Sequence, residues 1–303
     1  MFAKRTADRA GGEPSDDVRE ERHVPVMVRE VCGFLAGSRS DGLLVDGTAG
    51  MGGHLAALLD VLPDMRFLAL DRDPNAVSVL RERFGDHKRV IVRHASYTSA
   101  QSVIEEIGLG RASAALFDLG LSSLQLDDPA RGFSHSMDGT LDMRFDPEDG
   151  PTALELVNTL PEKELADIIF RFGQEGRSRR IAAAIVNARP VAGSRELADA
   201  VSSSVRSGGV KMLSRVFQAL RIAVNRELEE LDILLDGLAS WTETDARIAF
   251  ITFHSLEDRR VKVLFRDCGS FRQYSPKWLL PGDEEIRENS RARSARLRMG
   301  LRT

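Results

Sequence analysis

The segment Asp46-Gly47-Thr48-Ala49-Gly50-Met51-Gly52-Gly53-His54 places an acid, closely spaced glycines and a histidine directly behind a short apolar run. Glycines let a backbone approach a ligand closely, and a helix that starts there turns free N–H groups toward it. Asp71 closes the next apolar run about 25 residues later, where a carboxylate can accept hydrogen bonds from both hydroxyls of a ribose. Tyr97 follows a third run, where its ring would lie against a purine. Asp118 ends a fourth, with the polar stretch Gly120-Leu121-Ser122-Ser123-Leu124-Gln125 behind it, and His254-Ser255-Leu256-Glu257-Asp258-Arg259 closes a fifth. Each feature also has a plain structural reading: a tight turn, a packed tyrosine, a buried acid, a helix cap from Ser255.

Two ligands compete for such a site. A dinucleotide loop reads G-x-G-x-x-G, and counting from Gly50 and Gly52 the third position is Leu55, so the glycine that allows close helix packing is missing. S-adenosylmethionine has no pyrophosphate, but its methionyl ammonium and carboxylate need an acid and free N–H groups. Asp46 and the Gly52-Gly53-His54 turn offer both.

The elements that must position these residues follow from hydropathy. Leu43 to Asp46, Arg66 to Asp71, Val90 to Val92, Ala114 to Asp118 and Arg247 to Phe253 read as buried parallel strands. Helices after Gly53, from Pro74 and after Ser99 supply the crossovers, and Glu257 to Arg266 a further helix. The fold class expected is therefore α/β, a Rossmann-like parallel sheet with helices on both faces. From Asp127 to Arg215 no strand is legible. Asp127 to Gly150 reads as an ordered functional loop or a loose connector; helices follow over Thr152 to Leu160, Pro161 to Phe172, Arg177 to Ala188 and, capped by Ser194, Arg195 to Val205. The division expected is a leader over 1–22, a first part of the catalytic domain over 23–126, an inserted all-helical domain over 127–215 and a second part over 216–303. Met212 to Leu238 reads as one long returning helix, and the stretches around Phe271 to Leu280 and Ala295 to Gly300 as a closing hairpin.

With 42 basic and 46 acidic residues among 303, the formal charge is -4, and no global basic field points to nucleic acid. An RNA surface would have to be local: Arg291, Arg293, Arg296, Arg298 and Arg302, which equally suit a solvated basic tail, or Arg171, Arg177, Arg179 and Arg180, each of which better suits a solvated helix face. Cys32 and Cys268 stand far apart without ligand-spaced neighbours, so no disulfide framework and no metal site is expected, and the reading is a cytoplasmic protein. No apolar run approaches the ~18 residues of a membrane span, so no membrane partner is expected. Met1 to Arg22 mixes both charges around Gly11-Gly12 and Pro14 and reads as a disordered leader.

Taken together, Asp46 to His54, Asp71-Arg72-Asp73-Pro74, Asp118 to Ser123, Gln125-Leu126-Asp127, Arg131-Gly132-Phe133-Ser134, Leu141-Asp142-Met143-Arg144, Phe217 to Ile222, Phe253 to Arg259 and Arg291 to Ser294 resemble the RsmH (MraW) family, collinearly from about His23 onward. The resemblance implies a class I S-adenosylmethionine-dependent methyltransferase acting on N4 of a decoding-centre (P-site) cytosine of 16S ribosomal RNA, within the small ribosomal subunit. It implies cofactor contacts from Gly52, Gly53, His54, Asp71, Tyr97, Asp118 and Gln125, and substrate recognition by the helical insertion. Asp142, His254 and Asp258 are candidates for the catalytic acceptor by motif location, and Arg144 is a candidate phosphate ligand. Lys211-Met212-Leu213-Ser214 departs from the His-Pro-Ala-Thr usual in the family, Leu124, Thr140 and Ser290 stand where proline is common, and Tyr97 replaces phenylalanine. Action on DNA cytosine or on protein, and a non-catalytic S-adenosylmethionine-binding RNA-binding protein, are the alternatives. A dehydrogenase is disfavoured by Leu55 and by the lack of a second dinucleotide half. Neither monomer nor dimer is specified.

Overall fold

Strands that are apolar along their whole length must be covered on both faces, and the sheet meets that demand. The computed structural model describes residues 25–205, 209–275 and 277–303; the leader expected over 1–22 lies outside them. Strands β1 (Leu43–Asp46), β2 (Arg66–Asp71), β3 (Val90–His94), β4 (Ala112–Asp118) and β5 (Thr242–Thr252) run parallel, and β7 (Arg296–Arg302) lies antiparallel between β5 and β6 (Phe271–Gln273). The order among the described residues is β3-β2-β1-β4-β5-β7-β6, the expected Rossmann-like α/β sheet. The chain moves outward from β1 to β3 and then returns to the other side of β1 as β4. At such a reversal the loops beyond the two strand ends part, which opens a crevice beside Asp46 and Asp118.

Helices α1 (Val28–Leu35), α2 (Gly53–Val61) and α3 (Pro74–Phe84) cover one face, where Phe34, Leu55, Leu58 and Leu80 pack with Phe67 and Leu116. On the other face α4 (Ala100–Glu106), α11 (Glu227–Trp241) and α12 (Ser255–Asp267) bury Leu234, Leu238, Trp241 and Phe265 against Phe117 and Phe250. A third apolar cluster joins α6 (Ala153–Thr159), α7 (Glu162–Gly173), α8 (Ser178–Asn187), α9 (Ser194–Ser203) and α10 (Gly209–Asn225) with Phe133, Leu141 and Met143. It includes Val216, Phe217, Leu220 and Val224, which lie beyond the boundary expected at residue 215. The stretch 127–150 is not a loose connector: Met143 N donates to Arg131 O, and Ala153 N and Leu154 N to Asp142 O and Leu141 O. Short helices α5 (Ser123–Asp127) and α13 (Asp283–Glu288) flank the crevice side.

Three local expectations are corrected. The long helix over Met212 to Leu238 is two helices, broken at Arg226 in the left-handed region at φ 51°. Asn225 fixes the break, since its side chain donates to Met143 O and Arg221 O and accepts from Phe145 N, while Arg72 Nη1 donates to its carbonyl. The cap of α12 is His254 rather than Ser255, in a reciprocal box with Glu257. Ser194 is the first residue of α9 rather than its cap, because its hydroxyl donates to Met137 O and accepts from Gly139 N. The polar start of β5, Thr242 to Ala246, lies outside the apolar run that marked the strand, and the expected hairpin at the C-terminal end exists as β6 and β7. Cys32 and Cys268 are free, and no described helix is long and apolar enough to cross a membrane.

Candidate active site

A cavity of about 340 Å³ opens at the β1/β4 reversal. Its floor is the glycine loop. Gly47 N donates to Leu116 O, and a side chain at Gly47 would stand 2.5 Å from the Phe117 ring, so only glycine fits between the two strand ends. Thr48 N donates to Asp46 Oδ1, and the Thr48 hydroxyl accepts from Asp118 N at 2.6 Å, which fixes both acids relative to the loop. Asp71 accepts from Gly50 N on Oδ2 and from Asp73 N on Oδ1, 2.8 Å each. The Arg72 backbone N–H also bonds to this carboxylate, which leaves part of its acceptor capacity for a ligand.

Of the residues expected to hold a cofactor, Gly53, His54, Asp71, Tyr97, Asp118 and Gln125 line this cavity and Gly52 does not. Gly52 has φ +78° and backs onto Phe84, which a side chain there would meet at 2.4 Å. Its role in the structure is to start α2. His54 Nε2 lies 2.8 Å from the Val26 carbonyl, which can only accept, so Nε2 carries a proton, and Nδ1 lies 3.7 Å from Asp118 Oδ2. Tyr97 sets its ring edge-on against Phe117. Burial first, then the Glu227 and Glu230 carboxylates, hold its hydroxyl far above the usual phenol range, so it stays neutral. Gln125 is committed on both sides: its oxygen accepts from Ser122 N and its amide donates to buried Asp73, which also accepts from Arg131 Nη1 at 2.8 Å.

Asp71 and Asp118 line the cavity, Asp46 is buried behind it at 1% exposure, and all three carboxyls are raised. Burial lifts Asp46 to about 7, against a hydrogen bond from Thr48 and with the help of Asp71; burial also lifts Asp71 to about 6. Asp118 is raised as well, by burial and then by Asp46 and Glu257, and its buried Oδ1 has no hydrogen-bond partner. A cluster of carboxyls raised by burial and mutual repulsion, with one acceptor unsatisfied, is an arrangement that a cationic ligand completes.

The catalytic candidates lie elsewhere. Asp142 is forked by Arg144, with 2.8 Å contacts from Nε and Nη2, and Asp258 by Arg298 and Arg296. These guanidinium groups, against the upward pull of burial, hold both acids below the usual range. Neither acid lines the cavity, and neither does His254, which caps α12 behind Glu257. Arg144 is likewise occupied by Asp142.

Glu227, Phe145 and Asn289, not singled out in the sequence, line the cavity together with Arg221, Phe253, Glu257 and Arg291 from the motif segments. Arg221 on α10 reaches over the helix break to Glu227, Nε to Oε1 at 2.7 Å and Nη2 to Oε2 at 2.9 Å. Glu257 accepts from Phe253 N and His254 N, and His254 and Arg221 keep it below the usual range despite its burial. The available signal was an arginine and a glutamate six apart in a mixed stretch that also holds Asn225 and Arg226, which gave the pair no distinctive mark. No metal was expected from the sequence, yet Glu227, His254 and Glu257 offer ligand atoms within 4.8 Å of one another. Their oxygens already receive Arg221 and two backbone N–H groups, and His254 Nε2 lies 3.1 Å from Glu257 Oε1, so the group reads as an ion-pair network.

A model of the MraW methylase family matches residues 20–302. A ribosomal RNA small subunit methyltransferase H of Cyanothece sp. is 44% identical over 292 residues, 95% of this chain and 97% of that protein. Its counterpart from Coprothermobacter proteolyticus is 42% identical over 284 residues, 91% and 95% of the two chains. Among solved structures, an rRNA methylase from Streptococcus thermophilus covers 91% of this chain and 95% of its own, with TM-score 0.45 and 11% identity. With a family model spanning nearly the whole sequence and relatives matched almost end to end, the chain belongs to the MraW methylase family.

Proposed function

We propose that the protein methylates the exocyclic N4 amine of a decoding-centre cytosine in 16S ribosomal RNA, with S-adenosylmethionine as donor and the small ribosomal subunit in the cytoplasm as its setting. The observation that carries the cofactor is the unsatisfied Oδ1 of Asp118 beside the raised carboxyls of Asp46 and Asp71. Gly53 and the start of α2 would take the methionyl carboxylate, Asp118 the ammonium, Asp71 the ribose hydroxyls and Tyr97 the adenine face, with Asp46 buried behind the lining. Bound there, the cofactor supplies a methyl group on a sulfonium, an electrophile that needs no metal or redox partner. Family membership and the relatives' shared name support ribosomal RNA as substrate, and the resemblance in the motifs supports cytosine N4.

Cytosine N4 is a weak nucleophile because its lone pair is delocalised into the ring. Holding it in line with the methyl supplies most of the acceleration, up to about 7–11 kcal/mol for near-attack geometry. A paired base cannot reach the cavity, so the nucleotide enters single-stranded or flipped, at a cost of a few kcal/mol. The apolar rim of Leu121, Leu126, Phe145 and Phe253 offsets part of that cost and keeps water away from the acceptor. The test is transfer of labelled methyl from S-adenosylmethionine to small subunits of a strain lacking the gene, with nucleoside mass spectrometry of the product. N4-methylcytidine that disappears with Asp118→Ala establishes donor, reaction and target together; label on another nucleoside, or none, refutes the proposal.

A further inference from the structure

None of the three residues that motif location suggested for the target amine lines the cavity. The cavity lining offers a different group. Arg221 and Glu227 both line the cavity, with side chains only 11% and 8% exposed. Their fork uses Nε and Nη2 of the guanidinium and one lone pair on each carboxylate oxygen. Nη1 of Arg221 makes no hydrogen bond among the described residues, and each oxygen of Glu227 keeps a second lone pair. A forked arginine–carboxylate pair is planar, so this wall presents a donor and an acceptor side by side in a flat, buried edge.

The Watson–Crick edge of cytosine is complementary to such a pair, with an amine donor at N4 next to the acceptors N3 and O2. Carboxylates accept from the cytosine amine, and arginine forks onto paired acceptors. We propose that the Arg221–Glu227 pair reads the target base, Glu227 accepting a hydrogen from N4 and Arg221 donating to N3 or O2. The inference rests on the methyl-transfer reading above and assigns the acceptor that reading lacks. As the N–C bond forms, the S–C bond breaks and its electron pair passes to sulfur, leaving a thioether. The methylated nitrogen then releases one proton, its N–H pair returning to nitrogen, and the Glu227 carboxylate receives that proton. Uracil in the same place would set the O4 acceptor against the carboxylate and be rejected. The break at Arg226 is what allows the geometry: in one continuous helix residues 221 and 227 would project from different sides.

A purely architectural role for the pair, holding α10 to α11, predicts different results. The experiment uses the full chain and small subunits carrying either cytidine or uridine at the target position. Wild-type protein loaded with S-adenosylhomocysteine is expected to bind the cytidine particles roughly tenfold to a hundredfold more tightly. Glu227→Gln is expected to lose most of that preference while binding the cofactor as the wild type does. Its single-turnover methylation should fall by about a hundredfold or more. Arg221→Lys keeps the charge but not the fork, and should also lose discrimination. Equal binding of both particles by the wild type overturns the inference without any variant having to fold. Glu227→Gln with unchanged discrimination, or with weakened cofactor binding alone, also overturns it and assigns the pair to the scaffold or the cofactor. Failure of the wild type to form N4-methylcytidine at all would instead remove the reading on which the inference stands.

Discussion

Asp46 shows how a residue can be legible in the sequence as a site and still hide what it does there. Its place at the end of β1 follows from the apolar run before it, but its titration follows from burial at 1% exposure and from neighbours that arrive from β2 and β4. The pH dependence has a definite sign. In the unfolded chain Asp46 titrates near 3.8, and in the folded chain at about 7, so across that interval the folded chain holds a proton that the unfolded one has released. The stability this contributes is full below the unfolded value and is lost as the pH climbs through about 7; Asp71, at about 6, acts in the same direction. A cationic ligand reverses the balance, because it favours the ionised acids. S-adenosylmethionine should therefore bind more tightly as the pH rises, levelling off above about 7, and should raise the melting temperature more at about pH 8 than at about pH 5. Calorimetric titration and thermal melts across this range check it. An affinity that falls as the pH rises would mean that these acids do not face the ligand's charge.

Among the elements, α12 and β7 redefine a residue that motif location made a catalytic candidate. Asp258 stands one turn into α12, and its two oxygens take Arg298 at 2.7 and 3.1 Å and Arg296 at 3.0 Å, both arginines from β7. Arg298 is 2% exposed, so removing its partner leaves a buried charge uncompensated, at a cost of about 3–5 kcal/mol. Asp258→Asn should lower the denaturation midpoint by an amount of that order and leave cofactor affinity unchanged below the transition. Loss of methyl transfer without loss of stability would restore Asp258 as a catalytic group. Elements differ in how well the sequence announces them. The buried strands and the glycine turn were legible because hydropathy period and glycine spacing are local signals. The break at Arg226 was not, since no glycine or proline marks it and the partners that fix it, Arg72, Met143 and Phe145, lie far away in the chain. The Arg221–Glu227 pair was hidden for the same reason: six residues apart fits no helical spacing until the helix is broken. That break, rather than residue 215, is where we divide the inserted helices from the sheet, because α10 contributes Val224 to the third apolar cluster and α11 contributes Leu231 to the sheet's.

At the scale of the whole molecule, the last strand is an interior one. β7 pairs with β5 from Arg247↔Leu301 to Thr252↔Arg296 and with β6 on its other side, and it buries Leu297, Arg298 and Met299. The segment leading into it brings Asn289 and Arg291 to the cavity, where Arg291 pairs with Asp127 at the end of α5. The same stretch thus completes the sheet and closes the site, and the arginines that looked like a basic tail are largely spent on Asp258, Asp127 and the Trp278 ring. A chain ending at Glu288 would expose the inner edge of β5, strand Asp258 without its arginines, and forgo about 1.5–3 kcal/mol for each large apolar side chain no longer buried. Domains of this kind keep only about 5–15 kcal/mol in reserve, and the summed loss is of that size. The truncated chain should show no cooperative thermal transition and no binding of S-adenosylmethionine, although the glycine loop, Asp71 and Asp118 are all retained in it. A cooperative melt with intact cofactor binding would show that β7 is an accessory edge, and that the site is built by the first five strands alone.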